Sequence, residues 1–174
     1  AARRRLGVLP DSRGLYDRLT AAEHIRYFGR MQGMGGTALE QRISELSRML
    51  DMDDLLNRRV AGFSQGQRVK VAIARAIVHA PRNIVLDEPT NGLDVLATRA
   101  LRAIIRRLRD EGCCVLFSSH IMQEVAALCD RIVVIADGGV TAEGSPDELR
   151  RATGQANLED AFVSAIGSAE GLMA

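Results

Sequence analysis

Asp87 and Glu88 stand together directly after the apolar run Ile84-Val85-Leu86. An apolar strand ending in two carboxylates suits phosphoryl transfer. The Asp can hold Mg2+, usually through water, because that ion keeps much of its hydration shell. The Glu can polarise and orient an attacking water. A plain strand followed by an acidic turn has the same sequence, so this pair alone leaves both readings open. A second apolar run, Val115-Leu116-Phe117, ends in Ser118-Ser119-His120. An imidazole there can donate a hydrogen bond to a terminal phosphate, and a lone His at a strand end also fits a structural or solvated role. In open parallel sheets functional groups collect in the crevice at the carboxyl ends of strands. The expectation is therefore that two neighbouring tips set an acidic pair and an imidazole around one metal-bound triphosphate.

A third segment, Phe63-Ser64-Gln65-Gly66-Gln67-Arg68, opens a helix. Free N–H groups and the positive end of the dipole at such a start favour an anion, and Ser64 adds a hydroxyl donor. An ordinary capped helix fits the segment equally well.

These residues must be positioned by regular elements, and the sequence predicts them. Thr20/Glu23, Thr37/Glu40, Ser64/Gln67 and Ser145/Glu148 all have capping-box spacing, which satisfies two orphan amides at once and marks four helix starts. Pro146 suits the first position of the last of these. Leu39, Ile43, Leu46 and Leu50 form one buried stripe, as do Val69, Ala72, Ile73, Ala76 and Ile77 up to the stop at Pro81. Leu101, Ile104, Ile105 and Leu108 make another, which ends near Gly112. Leu158, Phe162 and Ile166 suggest a short packed tail helix. Residues 6–10 read as the end of a strand entering a loop. The strands at Ile84–Leu86, Cys113–Phe117 and Ile132–Ala136 are unbroken apolar runs, which predicts a parallel sheet covered on both faces. Asp137-Gly138-Gly139 signals a turn, with Val140 to Glu143 returning as a hairpin strand.

Composition narrows the function classes. The chain has 174 residues, 47% apolar and 26% charged, with a formal net charge of +1, so one compact core is expected and no bulk pull toward nucleic acid. Aromatics make up 3% and Trp is absent, which argues against a base-stacking platform. No apolar run approaches the ~18 residues of a membrane span, and the run after the basic first residues is too short for a signal-peptide core. The chain is read as cytosolic. Cys113, Cys114 and Cys129 lack metal-ligand spacing and read as reduced thiols.

Taken together the residues resemble ABC ATPases. Ser64-Gln65-Gly66-Gln67 is similar to the family's signature, whose common form is Leu-Ser-Gly-Gly-Gln. It is followed by Ala74-Arg75-Ala76 and Pro81, then by Ile84 to Thr90, Asn91-Gly92-Leu93-Asp94 and Ser118-Ser119-His120. These resemble the Walker B strand, the D-loop and the switch histidine, in family order and spacing, over nearly the whole chain. The wording around Leu6 to Thr20 and Phe63 to Lys70 is nearest to ATPase subunits of sodium-exporting, Nat-type transporters. The resemblance implies an α/β fold, a partial P-loop NTPase of the ABC type with a parallel sheet flanked by helices plus a helical subdomain. It implies that Asp87 binds Mg2+, Glu88 is the catalytic base and His120 contacts the γ-phosphate. Ser64, Gln65, Gly66 and Gln67 correspond to the segment that clamps ATP held by a second subunit, and Asp94 to a dimer-interface position. Asp11 falls where the Q-loop Gln usually stands. A carboxylate there can still face Mg2+, but it departs from the family, as does Gln65 in place of the common Gly.

The family's Walker A loop, Gly-x-x-x-x-Gly-Lys-Ser/Thr, is not in the sequence. Lys70 is the single lysine and lies inside the helix after the signature, so it cannot serve. The expectation is a chain lacking the family's N-terminal part. Its strands would then lose neighbours and expose edges and apolar faces, and it would bind ATP weakly or not at all. The expected layout is 1–19 as core strand end and Q-loop, 20–80 as helical signature subdomain, 81–144 as the second half of the ATPase core, and 145–174 as helical tail. By resemblance the parent hydrolyses ATP with Mg2+ as a homodimer or paired subunit. It would drive a transmembrane permease from the cytoplasmic face of the inner membrane, with no nucleic-acid partner. Two alternatives are a soluble ABC ATPase acting on ribosomes or DNA, and a regulatory module that binds partners without hydrolysis. Asp11 and Gln65 favour the latter; Asp87, Glu88 and His120 oppose it.

Overall fold

The computed structural model describes residues 5–11 and 14–167. The chain divides into two compact units, with the boundary between Ser118 and Ser119.

The first unit is built on three parallel strands, β1 (Leu6–Leu9), β2 (Asn83–Leu86) and β3 (Cys114–Phe117), in the order β1-β2-β3. Leu9 pairs with Leu86 and Leu86 with Phe117, so all three strands end at one level. Four helices accompany them: α1 (Ala21–Met31), α2 (Gly36–Met49), α3 (Gln65–Ile77) and α4 (Val95–Asp110). Helix α3 lies directly on β1. A β-carbon on Gly7 would stand 2.5 Å from the Ala76 carbonyl oxygen, so only glycine admits the helix there. Helix α4 packs on β3. The stripes on α2, α3 and α4 are all buried, and Ile25, Leu46, Ile73 and Ile77 form the centre of the helical layer.

Two expectations need correction in this unit. Thr37 does not cap α2. The N-cap is Gly35, with no side-chain cap bond, and Gly36 enters the helix at φ +58°, so Thr37 already lies within the first turn. Glu40 is drawn away to α1, where Arg26 Nε and Nη2 donate to its carboxylate at 2.6 and 2.8 Å. Thr20, Ser64 and Ser145 do form capping boxes. The sheet, moreover, is covered on one face only among the described residues. Leu9, Ile84 and Leu86 are buried, whereas Leu6, Val8 and Leu116 on the opposite face are 38, 46 and 64% exposed.

The second unit holds α5 (Met122–Leu128), β4 (Ile132–Ala136), β5 (Gly139–Gly144), α6 (Pro146–Thr153) and α7 (Leu158–Ile166). Strand β4 was expected in the parallel sheet. It pairs antiparallel with β5 instead, across a turn with Asp137 at φ +51° and Gly138 at φ +76°. The two-residue turn brings β5 beside β4 with almost no loop to close, so the local partner wins. Val125, Val134, Leu149 and Leu158 form the core, and Phe162 and Ile166 pack against it. Among the described residues no helix is long and apolar enough to cross a membrane.

Candidate functional site

The strand ladder continues one step past β2 and β3. The Asp87 amide donates to the Leu9 carbonyl at 2.8 Å, and the Ser118 amide to that of Leu86 at 3.0 Å. Asp87 is thereby held between the ends of β1 and β3. The Ser118 hydroxyl lies 2.7 Å from Asp87 Oδ1 and accepts the Glu88 amide at 2.8 Å. A carboxylate only accepts, so the hydroxyl must donate to Asp87. Glu88 has φ +41°, a left-handed conformation that costs a side-chain-bearing residue about 1–2 kcal/mol. The following turn is closed by the Asn91 amide on the Glu88 carbonyl at 3.1 Å. Asp87 is exposed and Glu88 half-buried. Asp11 lies two residues beyond the end of β1, in an exposed turn.

The second cluster is made by two helix starts. Ser64 Oγ accepts the Gln67 amide at 3.3 Å, and the Ser64 amide donates to Gln67 Oε1 at 3.0 Å. Asp94 caps α4 by accepting the Ala97 amide at 2.8 Å, a structural task that the sequence reading did not give it. A β-carbon on Gly66 would stand 2.9 Å from the Ala97 Cβ, and one on Gly92 would stand 3.7 Å from Gln65 Nε2. The segment from Ser64 to Gln67 and the turn around Gly92 thus lie side by side in one chain. Lys70 is occupied elsewhere: its Nζ donates to the Asp51 carbonyl at 2.6 Å.

The loop between Asp11 and α1 is anchored by two buried groups. Arg75 Nη1 donates to the Gly14 carbonyl at 2.9 Å, and the guanidinium lies 4.7 Å from the centre of the Phe28 ring. Burial lowers the Arg75 pKa. His24 stacks on Tyr16 at 5.7 Å, and its Nε2 accepts the Tyr16 amide at 2.9 Å. Burial lowers the pKa of this imidazole too, against the opposing pull of the Tyr16 backbone.

The structure therefore gathers Asp87, Glu88 and Ser118 at the strand tips, with Asp11 following β1, and groups Ser64 to Gln67 with Asp94 at the helix starts. His120 belongs to the second unit, where it is exposed and follows Ser119, whose hydroxyl accepts the Ile121 amide at 3.1 Å. Ser118 contacts both carboxylate residues, a contact the sequence does not announce, because nothing in a Ser-Ser pair says which hydroxyl turns toward the end of β2.

Among the described residues no group of three or more His, Cys, Asp or Glu side chains could hold a metal ion. One hard carboxylate at Asp87, with a single oxygen engaged by Ser118, fits Mg2+ of the kind held by one or two protein carboxylates plus substrate phosphates.

Comparison with known proteins agrees with this geometry. The family model described as ABC transporter matches residues 1–91. The ABC transporter ATP-binding protein NatA of Bacillus subtilis is 45% identical over 165 residues, covering 94% of this chain and 67% of NatA. The Nod factor export ATP-binding protein I of Bradyrhizobium diazoefficiens is 36% identical over 149 residues, covering 86% of this chain and 49% of that protein. A solved structure titled "Structure of ATP binding subunit of ABC transporter" superposes with TM-score 0.82 at 33% identity, over 94% of this chain and 69% of that one.

Proposed function

Because this chain belongs to the ABC transporter family as an ATP-binding subunit, we propose that it works within an ATPase that powers export through a membrane partner. The observation that carries the reading is the tip of β2, where Asp87 and Glu88 follow a central parallel strand and the Asp87 carboxylate is tethered to the next strand. Asp87 would hold Mg2+, which when bound with ATP would supply charge neutralisation for the transferring phosphoryl group. Glu88 orients and deprotonates the attacking water. His120, two residues beyond Ser118, donates to the γ-phosphate. Ser64, Gly66 and Gln67 face the ATP held by a second subunit, through the amides and dipole at the start of α3. Asp94 borders that subunit, and Asp11 occupies the nucleotide-sensing position. Lys70, the single lysine of the sequence, is committed to Asp51 and does not serve the phosphates.

Residues 1–19, 20–80, 81–144 and 145–174 are read as Q-loop strand, helical signature subdomain, second half of the core, and tail. The helical zone meets the membrane partner, and the exposed Tyr27 and Met31 on α1 supply an apolar contact for it. The subunit sits at the cytoplasmic face of the membrane. Sodium export is the transport reading favoured by likeness to NatA. The test is Asp87→Asn in the complete protein. Its turnover should fall and become insensitive to Mg2+ at concentrations that saturate the parent. A variant keeping the parental Mg2+ dependence refutes the assignment.

A further inference from the structure

The hydroxyl of Ser118 both donates and accepts at the strand tips. It lies 2.7 Å from Asp87 Oδ1, where it can only donate, and it accepts the Glu88 amide at 2.8 Å. With donor and acceptor sides both engaged, the hydroxyl has a single orientation, and two groups at the end of β2 are fixed by one side chain following β3. The adjoining Ser119 has a different task, since its hydroxyl accepts the Ile121 amide. We propose that Ser118 is a positioning residue for ATP hydrolysis: its hydroxyl clasps the β2 tip, turning the second oxygen of Asp87 toward the metal and holding Glu88 in its left-handed conformation. This inference rests on the phosphoryl-transfer reading of Asp87 and Glu88.

The physical case has two parts. The bond to Oδ1 restricts rotation of the Asp87 carboxylate and so fixes the direction in which its other oxygen is presented. Glu88 at φ +41° would relax toward ordinary backbone conformations without a constraint, and relaxation would re-aim its side chain. Alanine at 118 removes both bonds and leaves the Glu88 amide without this acceptor. Threonine keeps the hydroxyl. Cysteine keeps the shape but is a weak donor and acceptor.

The test pairs two measurements on the complete protein. The first is amide hydrogen exchange at Glu88, read by NMR without metal or nucleotide. The second is the Mg2+ dependence of ATP turnover. Ser118→Ala and Ser118→Cys should each speed Glu88 exchange about tenfold, the scale of one lost hydrogen bond, and should require more Mg2+ for half-maximal rate. Ser118→Thr should restore both, and Ser119→Ala should leave Glu88 exchange unchanged. The proposal is overturned if Ser118→Cys protects the Glu88 amide like the parent, or if Mg2+ dependence is unmoved in a protein whose Glu88→Gln variant is inactive. Normal turnover in Glu88→Gln would instead overturn the phosphoryl-transfer reading itself, and with it any role of Ser118 in hydrolysis, whatever the exchange data say about the clasp.

Discussion

Gly66 and Ala97 meet where α3 and α4 begin, and a β-carbon on Gly66 would approach the Ala97 Cβ to 2.9 Å. Gly66 therefore serves the packing of two helix starts as well as any approach of a phosphate. The starts of α3 and α4 are therefore packed as one close seam.

Gly66→Ala should force that seam apart. Overpacking of this kind costs about 1–3 kcal/mol, and denaturant unfolding should register it as a lower midpoint. Ala97→Gly in the same chain should recover part of the loss by removing the opposing carbon. Unchanged stability in the single variant would mean that the helices shift freely.

Arg75 should matter to the loop after Asp11 more than its position in mid-helix suggests. Its guanidinium reaches Gly14 and stacks on Phe28. Arg75→Met keeps much of the volume but loses the bond and the cation–π contact, a combined cost of about 1–3 kcal/mol. Hydrogen exchange or limited proteolysis across residues 14–19 should increase. Lysine should not rescue it, because a compact ammonium lacks the planar face that stacks.

The periodic helices were legible because burial imposes a spacing on the sequence, and the stripe on α3 from Val69 to Ile77 is buried as read. Asp87 and Glu88 were legible as strand-tip residues because an apolar run ends at them, and they do follow β2; the pair alone left their chemistry open. Other features depended on choices that spacing does not encode. Thr37 and Glu40 have capping-box spacing, yet Arg26 from another helix takes the glutamate. The hairpin of β4 with β5 was legible from Asp137-Gly138-Gly139, but the apolar run of β4 also suggested a place in the parallel sheet, which it does not take. The tasks of Ser118 and Asp94 emerge only once strand register and helix start are fixed, since both depend on which amide lies opposite.

Acid should destabilise the helical region through His24. Burial holds its pKa below the ordinary value, so the unfolded chain binds the proton more readily than the folded one. Its contribution is intact above about pH 6.5 and is lost as pH falls below that, by at most about 1.4 kcal/mol per pH unit for one group. Comparing urea midpoints at pH 7.5 and 5.5 should show a larger drop in the parent than in His24→Gln. Equal drops would remove His24 from the acid response.

The 174-residue polypeptide by itself should bind Mg-ATP poorly. Its one lysine is bonded to Asp51 on the helical side, and a capped helix start offers an anion only modest attraction. Calorimetric titration should give no dissociation constant on the order of micromolar or tighter. Micromolar affinity would reveal a phosphate site that the strand tips and helix starts do not account for.

The central claim is that Glu88, at the tip of β2, works on a water beside a metal-bound triphosphate. The most direct measurement is ATP turnover and ATP binding in the complete protein carrying Glu88→Gln. Loss of a positioned general base should slow turnover by about 100-fold or more while ATP affinity stays close to that of the parent. Turnover within a few-fold of the parent would contradict the account.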